Sequence, residues 1–168
     1  DEPTEAQTEL YPEEVDPDFF AEASGEPQAE VTTGASVDLT PMFPAVMNQG
    51  ALGSCAAFAD AAAATYMRNK REKQSAPWAS PAYLYALVLS LDNSKCDNGT
   101  YINWHLDMLV RGGAPTIDAV PYSDKACIDH TTANVMSPEQ YRIGGWYAID
   151  PLNKDKVREA LAAGLPVV

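Results

Sequence analysis

Cys55 stands where a thiol can do chemistry. It follows Asn48-Gln49-Gly50-Ala51-Leu52-Gly53-Ser54 and heads the run Ala56-Ala57-Phe58-Ala59. A glycine-rich turn thus feeds an alanine-rich helix, with the thiol at the junction. The first turn of a helix leaves backbone N–H groups without partners and carries the positive end of the helix dipole. That setting favours the thiolate, which is the nucleophilic form. Gln49 lies six residues earlier, across the turn that holds Gly50 and Gly53. Folded back beside the sulfur, its side-chain amide would make one half of an oxyanion hole. A buried structural thiol is the alternative, since free cysteine is among the most buried residue types. Gly50, Gly53 and Ser54 argue against it, because they leave the approach bare enough for a substrate backbone.

The elements that must position these groups are mostly helical. The first helix is expected from about Ser54 to Lys73, with Phe58, Ala62, Thr65, Tyr66 and Asn69 on one side. Its run Ala61 to Ala64 has the best helix propensity and admits close neighbours. Arg68, Lys70, Arg71 and Lys73 gather at its end, where cations suit the negative pole of the dipole. Ser80-Pro81 reads as an N-cap with proline at the first helical position, opening a second helix through Tyr83, Leu84, Leu87, Val88 and Leu91. A third spans about Tyr101 to Arg111, with Ile102, Leu106, Leu109 and Val110 as its apolar side, and ends at Gly112-Gly113. Asn153 caps a fourth from Lys154 to Ala163. Thr40 to Pro44 reads as extended, because Pro41 and Pro44 disfavour helix just before them. Strands are expected at Tyr141–Ile149 and from Leu165 onward.

The stretch from Asn48 to Phe58 resembles the papain-like cysteine peptidases, whose signature is N-Q-G-x-x-G-S-C-W-A-F. Asn48, Gln49, Gly50, Gly53, Ser54, Cys55, Ala57 and Phe58 fit at the family's spacing. Two positions depart: Ala56 replaces the tryptophan after the nucleophile, and Leu52 replaces a cysteine of one family disulfide. The resemblance implies an α+β, papain-like fold, with its mostly helical left half present and its β-rich right half incomplete in this chain. It makes Cys55 the nucleophile and gives Gln49 and the Cys55 backbone N–H to the oxyanion hole. Cys96-Asp97-Asn98-Gly99-Thr100-Tyr101 resembles the C-x-G-G loop that lines the substrate groove. By that match Gly99 bonds substrate backbone, Asn98 replaces the first glycine and narrows the groove, and Tyr101 borders a side-chain pocket. Asn98-Gly99-Thr100 is also a glycosylation sequon, but a glycan there would obstruct the groove, so that match is read as chance. Val120-Pro121-Tyr122 resembles the family's Y-P-Y segment. With Cys55 free as nucleophile, a disulfide between Cys96 and Cys127 is expected, implying an oxidising compartment; two reduced, packed thiols are the alternative. The secreted or periplasmic space fits that expectation.

A thiol also needs a base, and in the family a histidine from a G-x-H-A segment supplies it. The two histidines, His105 and His130, lack those surroundings. His105 reads as a solvent-facing or partly packed helix residue, and His130 as part of a polar loop. The base is therefore expected outside this chain, either on a remainder of a longer enzyme or on a separate chain, with a C-terminal fragment of the same precursor as a candidate partner. Peptide or protein substrates follow. The alternative is a non-catalytic module that binds peptides or partners on the same fold.

Charge divides the chain. Residues 1–38 hold twelve of the 24 acids and no Lys or Arg; the remainder carries twelve acids against eleven bases. Residues 1–36 are expected as a disordered leader or propeptide remnant, and 37–168 as the peptidase domain. The acidity speaks against nucleic acid, which needs a basic patch. No apolar run is long enough to cross a membrane. Three cysteines and two histidines show no zinc spacing, so neither metal nor cofactor is implied.

Overall fold

The computed structural model describes residues 36–91, 94–128 and 139–168. The expected leader, apart from Ser36, and His130 lie outside the described residues. The helices are α1 (Cys55–Glu72), α2 (Pro81–Leu91), α3 (Ile102–Arg111) and α4 (Lys154–Ala162), with single 3-10 turns at Thr40–Met42 and Glu139–Tyr141.

α1, α2 and α3 pack on one another. Ala57, Ala61 and Ala64 of α1 meet Leu84 and Val88 of α2 and Leu109 of α3 in one core. Their small side chains let the α2 backbone come close. α2 is buried from Pro81 to Leu89, as expected of a helix with apolar residues around its circumference. Ser80 caps it: its Oγ accepts from the Tyr83 N–H at 3.1 Å and donates to the Val120 carbonyl at 2.7 Å. One side chain thereby starts the helix and fastens it to the segment leading to Tyr122.

The basic residues ending α1 reach a second target. Lys70 donates from Nζ to the carbonyls of Ala163 (3.2 Å) and Gly164 (2.7 Å), and the Tyr66 hydroxyl also donates to Gly164 (3.0 Å). These carbonyls lie just past the end of α4, where the chain leaves the helix. At the other end of α4, Asn153 Oδ1 accepts from the Lys156 N–H at 3.1 Å, completing the expected cap.

Three expectations need correction. Thr40–Met42 forms a 3-10 turn rather than an extended segment: Asp38 accepts from the Thr40 N–H at 2.9 Å, and the fixed φ of Pro41 suits the turn. The strands expected at Tyr141–Ile149 and from Leu165 do not form, and no named strand occurs among the described residues; an isolated bridge pairs Ala79 with Thr116. A strand needs a backbone partner, and this segment finds another. The Tyr141 N–H donates to the Ala114 carbonyl and the Ile143 N–H to the Leu109 carbonyl, both at 3.2 Å, so its backbone serves the end of α3. The buried face of α3 is also turned from the expected one. Of the expected residues Leu109 is in the core, joined there by His105 and Met108, while Ile102 and Leu106 line an apolar cavity of about 440 Å³ with Leu109, Trp146, Leu165 and Val167.

Candidate active site

α1 begins at Cys55, so the sulfur sits on the first turn of an 18-residue helix. Cys55 is a free thiol and exposed. The first helical backbone bond here runs from the Phe58 N–H to the Ser54 carbonyl, at 3.1 Å. The N–H groups of Cys55, Ala56 and Ala57 therefore lie ahead of the intrahelical ladder and form a cradle for negative charge. Ser54 occupies the cap position but makes no side-chain cap bond.

The turn before the helix is held from inside. Gln49 Nε2 donates to the Leu52 carbonyl at 3.0 Å. That anchors the amide within the turn and uses one of its two N–H donors, leaving the second for a ligand. The Gly50 N–H donates to Asn48 Oδ1 at 2.9 Å, closing the start of the turn. Gly50 has φ +67°, a conformation that suits glycine.

The loop from Cys96 to Tyr101 lies against this turn. A Cβ on Gly53 would sit 2.7 Å from the Asp97 carbonyl oxygen, so the two backbones meet where only glycine fits. The Gly53 N–H donates to Asp97 Oδ1 at 3.3 Å, and the Tyr85 hydroxyl donates to the Asn98 carbonyl at 2.6 Å. Cys96 and Cys127 are joined by a disulfide, with Cα atoms 5.7 Å apart. Asn98 is exposed, and a Cβ on Gly99 would meet nothing within 4 Å. Open space therefore lies beside the backbone that the sequence match gives to the groove. Tyr101 stands out at the head of α3, 63 % exposed, with its ring 5.3 Å from that of Trp104. The cavity of about 440 Å³ is a separate feature, and none of Cys55, Gln49 or Gly99 lines it.

His105 is neither solvent-facing nor partly packed. It is fully buried, with Nδ1 3.3 Å from Asp60 Oδ2 and Nε2 3.3 Å from Thr100 Oγ1. Asp60 is equally buried. The contact has ion-pair distance without hydrogen-bond alignment, which leaves both carboxylate oxygens unbonded. Burial pushes the Asp60 carboxyl above its ordinary value, and the imidazole of His105 beside it pulls it partly back. Two polar residues facing each other from α1 and α3 were the available sequence signal, but nothing local showed that they meet. Tyr122 was legible only as part of a resembling segment. Its hydroxyl donates to the Gln49 carbonyl at 2.7 Å and lies 2.7 Å from Ser54 Oγ.

No protein-family description and no curated protein sequence matches the chain. Solved structures do. A digestive procathepsin L 3 from the larval midgut of Tenebrio molitor is 18 % identical, with a TM-score of 0.68 over 83 % of this chain and 45 % of its own. Xylellain, a cysteine protease from Xylella fastidiosa, is 27 % identical, with a TM-score of 0.65 over 84 % of this chain and 58 % of its own. A structure from work on the mite allergens Blo t 1 and Der p 1 is 16 % identical, with a TM-score of 0.60 over 94 % of this chain and 54 % of its own. The chain thus spans about half the length of the structures it matches. The helices described here have the fold of the mostly helical part of papain-like cysteine proteases.

Proposed function

We propose that the chain carries the nucleophile of a cysteine peptidase that hydrolyses peptide bonds through a thioester at Cys55. The observation behind this reading is an exposed free thiol at the first residue of α1, beside helix-start N–H groups and an amide anchored within the preceding turn. The Cys55 sulfur attacks the scissile carbonyl carbon. The oxyanion that forms takes hydrogen bonds from the Cys55 N–H and from the second N–H of Gln49. Its collapse expels the amine and leaves an acyl thioester, which water hydrolyses to the acid and the free thiol. A base accepts the thiol proton, returns it to the leaving amine and later activates the water. His105 is turned inward onto Asp60 and Thr100 and does not serve as that base, which we assign to residues outside this chain.

Asn98, Gly99 and Tyr101 line the groove, and a peptide or protein lies along the open side of Gly99. The Cys96–Cys127 disulfide supports work in an oxidising compartment, secreted or periplasmic. The test is peptide hydrolysis by the protein as isolated from its source, with rapid acid quenching and intact mass. An acyl adduct on Cys55, and loss of turnover in Cys55→Ala, are expected. Peptide binding without cleavage or adduct would overturn the reading in favour of a non-catalytic peptide-binding module.

A further inference from the structure

Ser54 is the residue that should cap α1, yet its hydroxyl does not do so. Ser, Thr, Asn and Asp at this position normally accept from an N–H of the first turn. Ser54 is fully buried, makes no cap bond, and faces the Tyr122 hydroxyl at 2.7 Å. The protons can be followed. The Tyr122 hydroxyl donates its one hydrogen to the Gln49 carbonyl, so the hydrogen between Tyr122 and Ser54 comes from Ser54. The serine oxygen is held at Tyr122 and makes no bond to the first turn of its own helix. Tyr122 is itself fixed, because its ring stands edge-on to Phe58 of α1, with centroids 4.7 Å apart and planes at 89°. One phenol thus grips both ends of the turn, the backbone of Gln49 and the side chain of Ser54.

We propose that Tyr122 is the positioning residue of the Cys55 site: it keeps the Ser54 hydroxyl off the first N–H groups of α1 and holds the Gln49 backbone in place, so that the helix start stays open to a developing anion. This rests on the reading of Cys55 and Gln49 given above. Tyr122 touches no reacting atom; it acts through Ser54 and Gln49. An ordinary serine cap would stabilise α1 but would occupy an N–H that the site leaves open. Here the turn is fastened by a tyrosine from elsewhere in the chain, and the N–H groups are spared.

The experiment compares alkylation of Cys55 by iodoacetamide across a pH series in four proteins: wild type, Tyr122→Phe, Ser54→Ala and the double variant. Tyr122→Phe keeps the ring on Phe58 and removes both hydrogen bonds. Its rate at mildly acidic pH falls about fivefold, the worth of one cap hydrogen bond now drawn by the freed serine. Adding Ser54→Ala restores the rate, because no hydroxyl remains to cap. Ser54→Ala alone reacts as fast as wild type. An unchanged rate in Tyr122→Phe, or no rescue in the double variant, overturns the proposal. If Tyr122→Phe fails to fold, Ser54→Ala decides alone: a several-fold slower rate would mean the hydroxyl supports the thiolate directly, which contradicts the account. All these are ratios to wild type. The absolute wild-type rate against free cysteine tests the peptidase reading separately, so failure of either is distinguishable.

Discussion

Cys55 and Asp60 lie five residues apart on α1 and meet opposite surroundings. The sulfur stands exposed at the helix start, ahead of the intrahelical hydrogen bonds, and the Gln49 amide is anchored within the preceding turn. The carboxyl is shut in the core with His105 and has no aligned hydrogen bond on either oxygen. The comparison separates two ways of handling a polar group. At the amino end, backbone N–H groups supply a field without burying charge. In the middle, a second titratable residue from α3 must answer the first. The first arrangement leaves capacity for a ligand, and the second leaves buried polar atoms without aligned partners.

The largest expected effect breaks the buried member. His105→Leu strands the Asp60 carboxyl, and removing one partner of a buried pair costs about 3–5 kcal/mol. The double variant Asp60→Ala/His105→Leu recovers most of that loss, because nothing polar remains to be answered. Urea unfolding midpoints of the three proteins measure both. If the double variant were no more stable than His105→Leu, the buried pair would not be the cause.

The next tests sharpen the exposed member. The Cys96–Cys127 bond closes a segment with 31 residues of sequence separation, and its removal by Cys96→Ala/Cys127→Ala costs about 3 kcal/mol. Thermal unfolding with and without reductant checks this: reduced wild type should match the double variant. Gly53→Ala forces a Cβ to within 2.7 Å of the Asp97 carbonyl, costing about 1–3 kcal/mol as the two backbones separate. Gly99→Ala meets open space and leaves the unfolding midpoint unchanged, but it fills the side of Gly99 proposed to receive peptide, so peptide binding is expected to weaken. A stability loss at Gly99 matching that at Gly53 would remove the distinction between a packed wall and an open one.

The smallest effect is in pH. Asp60 titrates above its ordinary value of 3.8 in the folded protein, burial being the larger cause. The folded chain therefore holds this proton where the unfolded chain has released it. The resulting stability is full below about pH 3.8 and is lost as pH rises through the folded value. Asp60→Asn flattens that portion of the stability profile, read by unfolding midpoints over an acidic pH series.

How much of this was legible depended on how local the cause was. The helices were readable because their signals lie within a few residues: the Ser80 and Asn153 caps, the alanines of α1, the glycines after Arg111. The cysteine turn was readable for the same reason. The Asp60–His105 contact was not, since the polar partners come from separate helices and the buried face of α3 includes His105. The expected strand at Tyr141–Ile149 failed because periodicity proposes a strand but a partner makes one, and Tyr141 and Ile143 bond to Ala114 and Leu109 instead. The role of Tyr122 was hidden by its 68-residue separation from Ser54.

The most direct test of the central claim is the rate at which iodoacetamide alkylates Cys55 at mildly acidic pH, set against free cysteine under the same conditions, with the labelled site located by peptide mass. A nucleophilic Cys55 acquires a single label, faster than the reference does. Alkylation no faster than free cysteine would contradict it, and would leave Cys55 as an exposed thiol on a papain-like fold rather than a nucleophile.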